Sequence, residues 1–285
     1  MNSKYTLQEL EGFCLDYREN VVRLAQEHAF GVHLGGSLSL AEVLISLYFQ
    51  VAHIDPIDPY WPKRDRIVLS KGHGNVGLLT AMAMRGFFPF DRFENFNQIG
   101  QYFTMHADSH IPGVEHSAGS LGHGLSVSVG MALAARLDQQ SWQVYCILGD
   151  GESMEGSVWE ALMSAGHYQL DNLTAIIDRN KLTQESRTQE VMDLEPLVEK
   201  GRAFGWQVTE VDGHNLQELI AAFALPASGK PKLIIAHTRK GRGVPSHEDQ
   251  IKSHFAHLTP EQASVALEII AQERARLTKA QSHGK

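Results

Sequence analysis

The chain has 285 residues, 43% of them hydrophobic and 20% charged, so it can bury a sizeable core and does not have the composition of a disordered, collagen-like or coiled-coil protein. Its 25 Lys and Arg residues and 33 Asp and Glu residues give a formal net charge of −8. A negatively charged chain does not attract polyanions, so nucleic acid is not an expected partner. The N-terminal sequence does not have the pattern of a signal peptide, and no stretch approaches the ~20 apolar residues of a membrane span, so we expect a cytoplasmic protein.

From the N-terminus, apolar residues at steps of three and four predict helices over residues 7–29 and 39–51. The proline-rich segment 55–62 predicts a loop. Residues 66–70 predict a buried strand, which turns through Lys71-Gly72-His73-Gly74 into a helix that ends near Gly86. The following segment, up to about residue 111, is irregular and rich in aromatic residues.

The same strand, turn and helix pattern then repeats. Helices are predicted over residues 125–137, 155–167, 194–204, 215–224 and about 259–280, and strands over residues 143–148, 173–177, 206–211 and 231–237. Strands that alternate with helices indicate an α/β fold, in which helices cover both faces of a mainly parallel sheet. We expect one domain over residues 1–285. Cys14 and Cys146 are far apart and lack CxxC spacing, so we expect two free, buried cysteines rather than a disulfide or a zinc site.

One turn combines acidic and glycine residues at the end of a buried strand. Gly149-Asp150-Gly151 follows strand 143–148, and Asn180 follows the next strand, 30 positions after Asp150. The carboxyl ends of parallel strands lie at one edge of a sheet, where ligands bind. A carboxylate, an amide oxygen and a backbone carbonyl near Leu182 are suitable ligands for Mg²⁺, and the flanking glycines allow a diphosphate to approach the backbone. Gly and Asp are common in turns, so the triplet alone is a weak signal, and its combination with Asn180 is the strong one.

Three further segments accompany this motif in chain order. They are His33-Leu34-Gly35-Gly36-Ser37-Leu38-Ser39, Asp65-Arg66-Ile67-Val68-Leu69-Ser70-Lys71-Gly72-His73, and Pro112-Gly113-Val114-Glu115 leading to Gly119-Ser120-Leu121-Gly122-His123-Gly124. Together with the Gly-Asp-Gly motif, which is similar to the diphosphate motif of thiamine-diphosphate enzymes, they resemble the transketolase family from about residue 20 to about residue 255. More closely, the chain resembles the N-terminal subunit of a split transketolase, which is a single thiamine-diphosphate-binding domain.

The resemblance implies a cofactor, a metal ion and the residues that hold them. The metal, Mg²⁺ or another divalent cation such as Ca²⁺ or Mn²⁺, would be held by Asp150, Asn180 and the Leu182 carbonyl. The residues implied to bind thiamine diphosphate are His73, Gly119, Leu121, Gly149, Asp150, Gly151, Glu152, Asn180 and His254. His254 lies in the context Ser253-His254-Phe255, where the family has Trp-His-Gly, so His247 and His257 compete for its role.

The resemblance also implies the catalytic residues, which are His33, His73, His106, His254 and Glu155. Transfer of a two-carbon ketol unit makes and discharges alkoxides, so protons must move near neutral pH, where imidazole titrates. His33 and His106 match histidines that face the thiazolium ring and the sugar hydroxyls. Glu155 matches an acidic residue near the subunit boundary. We expect Lys240 and Arg242 to be solvated loop charges, with steering of the diphosphate as the alternative.

In transketolases the carboxylate that activates the aminopyrimidine ring belongs to a second domain, which this sequence does not contain. We therefore expect a partner chain that carries a pyrimidine-binding domain, assembled as an α2β2 heterotetramer, and sugar or sugar-phosphate substrates. Two alternatives stay open: a non-catalytic cofactor-binding module, and one chain of a deoxyxylulose-phosphate synthase-like carboligase.

Overall fold

The sheet of the protein, in a computed structural model that describes residues 4–226 and 228–283, has five parallel strands. Residues 1–3, 227 and 284–285 of the predicted domain lie outside this description. In chain order the strands are β1 (Arg66–Leu69), β2 (Val144–Gly149), β3 (Leu173–Arg179), β4 (Gln207–Asp212) and β5 (Lys232–His237). Their order across the sheet is β1-β2-β3-β5-β4, and every pairing is parallel, which confirms the predicted α/β fold.

Ten α-helices connect and cover the strands in the described part of the chain. They are α1 (Leu7–Glu27), α2 (Leu34–Leu38), α3 (Ala41–Ile45), α4 (Asn75–Arg85), α5 (His123–Leu137), α6 (Gly156–His167), α7 (Thr188–Val191), α8 (Leu197–Ala203), α9 (Leu216–Ala224) and α10 (Pro260–His283). No helix in the described ranges is long and apolar enough to cross a membrane.

Alternate residues of each strand face opposite sides of the sheet, and this separates the core into two parts. Ile147, Ile176 and Ile234 pack with residues of α1, α2, α3, α4, α9 and α10. Their strand neighbours Cys146 and Ile177 pack on the other face with α5, α6 and α8. The central strands are buried on both faces, which explains their continuous apolar sequences.

Both cysteines are free and buried, as predicted. Cys14 lies in the core that contains α1, and Cys146 lies on β2 in the opposite core. Burial raises the pKa of both thiols above the ordinary value, so neither has the thiolate character of a reactive cysteine.

Several element boundaries differ from the prediction. The helix expected over residues 39–51 begins only at Ala41, as α3, and continues as a π-helical turn, Ser46–Val51. The short helix α2 precedes the expected range, and Leu40 leaves helical geometry between α2 and α3. Helix α1 ends at Glu27, and α8 begins only after Pro196. Strand β3 continues to Arg179, two residues further than predicted, which carries Asp178 into the sheet.

Candidate functional site

The residues after β2 and β3 lie side by side, as the spacing of the Gly-Asp-Gly motif predicted. Gly149 pairs with Asp178 in the sheet, so Asp150 and Asn180 follow at the same carboxyl edge. The Asp150 amide donates a hydrogen bond to the Asp178 carbonyl oxygen at 3.3 Å. This edge is the place where an open parallel sheet binds ligands.

Asp178 is a buried residue that accepts several hydrogen bonds at this edge. Its carboxylate accepts hydrogen bonds from the Lys71 ammonium at 2.5 Å, the Ser39 hydroxyl at 2.7 Å and the Asn180 amide at 3.2 Å, and also from Thr238 Oγ1. Burial alone would raise the pKa of Asp178, but the charge of Lys71 and these hydrogen bonds outweigh it and lower the pKa. Asp178 is therefore a charged carboxylate that ties four chain segments together.

Asp150 is also buried, with 1% of its surface exposed. Its Oδ1 accepts from the Gly151 amide at 2.8 Å, and its Oδ2 accepts from the Lys181 amide at 2.5 Å and from Arg179 Nη1 at 3.2 Å. Burial and the negative charge of Asp178 raise the pKa of Asp150. A divalent cation at this position would stabilise the charged form of Asp150 and so offset both effects.

The oxygen atoms available here suit a hard cation. Asn180 Oδ1 accepts a hydrogen bond from the Leu182 amide at 3.1 Å, so the amide side chain is held against the segment that carries the Leu182 carbonyl. A carboxylate, an amide oxygen and a backbone carbonyl form a donor set for Mg²⁺, Ca²⁺ or Mn²⁺, with phosphate oxygens completing the shell. The residues of this edge therefore fit the implied metal ion.

Lys240 is not the solvated loop charge that we expected from the sequence. It is 2% exposed, and its ammonium donates to the carbonyl oxygens of Leu182 at 3.2 Å and Thr183 at 2.7 Å and lies 3.2 Å from His254 Nδ1. Burial, followed by the charge of Lys71, lowers the pKa of Lys240 to about 8. Gly35 makes this burial possible, because a Cβ there would lie 2.8 Å from Lys240 Cγ. Only the folded chain brings Gly35 and Lys240 together.

Four of the five predicted catalytic side chains meet at the same edge. The ring of His33 lies 5.8 Å from that of His73, 5.3 Å from that of His106 and 5.3 Å from that of His254, and the rings of His73 and His254 are 5.1 Å apart. These residues come from four segments that are distant in sequence. Phe255 closes one side of the cluster, with its ring 5.0 Å from that of His33.

The imidazoles of this cluster are neutral at physiological pH. Burial lowers the pKa of His33 to about 4 and that of His254 to about 3, helped by the neighbouring imidazoles and ammonium groups. The pKa values of His73 and His106 also fall, mainly through burial. His33 Nδ1 is buried and has no hydrogen-bond partner within the described residues, which is the condition of a polar atom that awaits a ligand.

Three histidines compete for one role in the predicted site, and within the described residues His254 is the one whose ring lies in this cluster. His247 forms a hydrogen bond with the Ser246 hydroxyl at 2.9 Å. His257 contacts the His28 carbonyl oxygen at 3.2 Å. The geometry therefore favours His254, although its sequence context departs from the family pattern.

The lowered pKa values predict acid sensitivity of the ligand-free chain. At His33 and His254 the unfolded chain binds more protons than the folded chain from pH 6.5 down to about 4, because these two imidazoles keep the ordinary pKa of 6.5 only when unfolded. Stability is therefore full above pH 6.5 and falls as the pH drops through this range. We expect His33→Asn to show a smaller fall than wild type in urea unfolding at pH 7.5, 6 and 5, and His167→Asn, which changes an exposed histidine, to follow wild type. An equal fall for His33→Asn would contradict this assignment.

The glycine-rich loop before α5 does not follow a strand, yet it reaches the same edge of the sheet. Glu152 holds it there: Glu152 Oε1 accepts from the Ser70 hydroxyl at 2.5 Å and the Gly122 amide at 2.9 Å, and Oε2 accepts from the Gly149 amide at 2.9 Å. The Gly124 amide donates to Ser70 Oγ at 3.1 Å. Protein groups occupy both oxygens of Glu152, so its observed role is to position the loop.

The remaining predicted residues lie around this edge. Gly119 is exposed, with open space where a Cβ would be, and Leu121 is half-buried. A Cβ on Gly151 would lie 3.3 Å from Thr183 Cγ2, and the Gly151 amide, predicted to face a diphosphate, donates to Asp150 here. Glu155 is exposed just before α6, and its carboxylate makes no hydrogen bond within the described ranges.

Sequence reasoning missed three buried groups of the site: Asp178, the Lys71 ammonium and the Lys240 ammonium. For Lys71 the sequence does give a signal, because this residue follows β1 closely and lies beside His73. For Asp178 it gives none, because the predicted strand ends at residue 177.

Comparisons with known proteins show the family to which the chain belongs. Residues 20–274 match the family described as "Transketolase, thiamine diphosphate binding domain". The chain is 45% identical over 268 residues to the 6-deoxy-6-sulfo-D-fructose transketolase subunit SqwG of Clostridium sp. (strain MSTE9), covering 92% of this chain and 98% of that protein. It is 39% identical over 270 residues to an apulose-4-phosphate transketolase subunit of Phocaeicola vulgatus, covering 94% and 95%.

The fold is similar to that of solved transketolases. The transketolase of Campylobacter jejuni superposes with a TM-score of 0.81 at 28% identity, over 96% of this chain and 48% of that chain. The transketolase of Leishmania mexicana superposes with a TM-score of 0.82 at 26% identity, over 98% and 46%. The chain thus spans about half the length of these solved proteins.

Proposed function

Because the chain belongs to the transketolase family, we propose that it is the diphosphate-binding subunit of a two-chain transketolase, which transfers a two-carbon ketol unit from a ketose or ketose phosphate to an aldose or aldose phosphate. The observation that carries this proposal is the convergence of His33, His73, His106 and His254 at the sheet edge that holds Asp150. A domain that only stored a cofactor would not need four neutral imidazoles in contact.

The cofactor, when bound, supplies carbanion chemistry at its thiazolium ring, and the protein supplies position and charge. Asp150, Asn180 and the Leu182 carbonyl would hold the divalent cation. His73, His254 and the amide of Gly151 would hold the diphosphate. The buried ammonium of Lys240, next to His254, adds a positive charge that only an anionic ligand would compensate fully.

His33 and His106 are suited to proton transfer at sugar hydroxyls. Both imidazoles are neutral, because burial lowers their pKa, and a neutral imidazole has one nitrogen that accepts a proton and one that donates. His33 Nδ1 has no hydrogen-bond partner among the described residues, so no protein contact at this atom fixes which nitrogen carries the proton.

A partner chain would complete the site. Two relatives that match nearly the whole chain carry the word "subunit" in their names, which supports a partner chain. We propose that this partner carries a pyrimidine-binding domain and that the assembly is α2β2. The exposed Glu155 would lie at this boundary. The same names suggest two donor classes, a sulfonated ketose and the branched ketose phosphate apulose 4-phosphate.

The test is a ketol-transfer assay with thiamine diphosphate, Mg²⁺ and a panel of donors that includes 6-deoxy-6-sulfo-D-fructose, apulose 4-phosphate and unbranched ketose phosphates. The chain is assayed alone and after copurification with the product of a neighbouring reading frame. We expect turnover only in the pair, with the preferred donor naming the substrate class. Turnover by the chain alone would overturn the division of the active site, and no turnover in any pair that binds the cofactor would overturn the activity.

A further inference from the structure

A second, positively charged cavity opens beside the diphosphate site, at the carboxyl ends of β3, β5 and β4. Its volume is about 490 Å³, within the range of pockets that bind small metabolites. Its charged lining residues are Arg179, Lys181, Arg187, Asp212, Arg239, Arg242 and Asp249. With histidines neutral, five cations against two carboxylates give a formal charge of 5 − 2 = +3, whereas the whole chain carries −8. The cavity lining therefore carries an excess of positive charge, although the whole chain is negatively charged.

The cavity adjoins the proposed metal site, because Asn180 and Leu182 line it. The side chains proposed to contact the diphosphate, His73 and His254, do not line it, and neither does Lys240. Lys240 Nζ instead donates to the carbonyl oxygens of Leu182 and Thr183.

The cations of this cavity are not equally available. Arg179 is committed to Asp150, Thr188 and Glu195. Arg239 pairs with Glu248 at 3.1 Å, although its side chain is largely exposed. By contrast, the side chains of Lys181, Arg187 and Arg242 make no hydrogen bond or ion pair with any other described residue. Carboxylates act on these three cations only at longer range: Glu195 on Lys181, Glu190 on Arg187 and Glu248 on Arg242. None of the three is therefore committed to a direct contact that would keep it from an anion in the cavity.

Lys181 shows how the chain directs one of these charges into the cavity. Its backbone has a φ of 66°, in the left-handed region that a lysine rarely adopts. In this conformation its amide donates to Asp150 Oδ2 at 2.5 Å, and the residue is part of the cavity lining. The same residue therefore borders both the proposed metal ligand and the cationic cavity.

We propose that this cavity is a binding site for a small oxyanion, namely a phosphate, sulfate or sulfonate group, either free or carried by a metabolite. The guanidinium forks of Arg187 and Arg242 are matched to the oxygen pairs of such groups, and Lys181 supplies a third charge. The volume exceeds what a bare phosphate needs and leaves room for the small organic part of a phosphate ester or sulfonate. The site does not depend on the proposed ketol transfer.

The experiment is calorimetric titration of the full chain, saturated with thiamine diphosphate and Mg²⁺, with inorganic phosphate, sulfate, glycerol 3-phosphate and methanesulfonate. We expect saturable binding that weakens about tenfold in Arg187→Gln and again in Arg242→Gln, since loss of one charge-assisted contact costs on the order of one decade in Kd. Arg202→Gln, which removes an exposed charge on α8, is the matched control and should bind as wild type does. Tighter binding of the two organic ligands would identify a metabolite site, and equal binding a site for the free anion.

Three results would overturn the proposal. The first is the absence of saturable binding by wild type. The second is equal affinity in wild type and in the double variant Arg187→Gln/Arg242→Gln. The third is binding that disappears in Lys240→Met but survives in the double variant, because the anion would then occupy the diphosphate site. The double variant should keep wild-type affinity for thiamine diphosphate, so failure here is distinguishable from failure of the proposed function.

Discussion

Replacement of Asp150 by alanine should abolish metal-dependent binding of thiamine diphosphate. Removal of residues that only orient a metal ligand already costs roughly 10- to 100-fold, so loss of the sole carboxylate among the proposed ligands should cost more than about 100-fold. The measurement is titration of the cofactor, followed by intrinsic fluorescence, at fixed and varied Mg²⁺. Asp138→Ala removes an exposed carboxylate at the end of α5 and should leave the affinity unchanged.

The conservative variant Asp150→Asn separates this effect from unfolding. Asp150 is buried next to the charge of Asp178, and both factors raise its pKa, so a neutral amide removes an electrostatic cost. Arg179 keeps its contacts with Thr188 and Glu195. The amide NH2 cannot accept one set of the hydrogen bonds that Asp150 accepts, so the removed electrostatic cost offsets this loss only in part. We therefore expect urea unfolding of the ligand-free Asp150→Asn chain to lie between wild type and Asp150→Ala while cofactor affinity is lost. Unchanged affinity in both variants would refute the proposed metal site.

The sheet was predictable because its strands obey a simple rule. Residues 144–149 and 173–177 are buried on both faces, and such strands read as mainly apolar sequences. Once two parallel strands are adjacent, the residues after them must lie together, so the proximity of Asp150 and Asn180 followed from the sequence. The family resemblance then supplied the roles of the histidines, which hydrophobic periodicity does not encode.

The buried cations were not predictable, because their environment is made by distant segments. Lys240 looks like a loop charge in Lys240-Gly241-Arg242-Gly243, and its burial depends on Gly35 and on the carbonyl groups of Leu182 and Thr183. Local sequence also gives no indication of the role of Glu152, whose carboxylate joins the ends of β1 and β2 to the loop before α5. Both residues are defined by contacts with segments that are remote in the sequence.

Replacement of Lys71 by methionine should be strongly destabilising. Lys71 and Asp178 are fully buried, and their charged groups are 2.5 Å apart. Removal of one partner of a buried pair leaves an uncompensated charge and costs about 3–5 kcal/mol. Lys71 also donates to the Gly36 carbonyl oxygen at 3.2 Å, so the segment that begins at His33 loses a support as well. Urea unfolding at pH 7.5 measures the loss, and Lys63→Met, at an exposed lysine, should stay close to wild type.

The double variant Lys71→Met/Asp178→Asn identifies the cause of this loss. If the isolated carboxylate is responsible, the neutral amide should recover a large part of the stability lost in Lys71→Met. The single variant should also depend on pH, because without Lys71 the buried Asp178 takes a raised pKa. Its deficit relative to wild type should then be small at acid pH, where the carboxyl is protonated in both states, and should grow as the pH rises from about 4 toward that raised pKa. A deficit that is the same at every pH, with no recovery in the double variant, would mean that Lys71 acts through the packing of its side chain and its bond to Gly36, and not through the charge of Asp178.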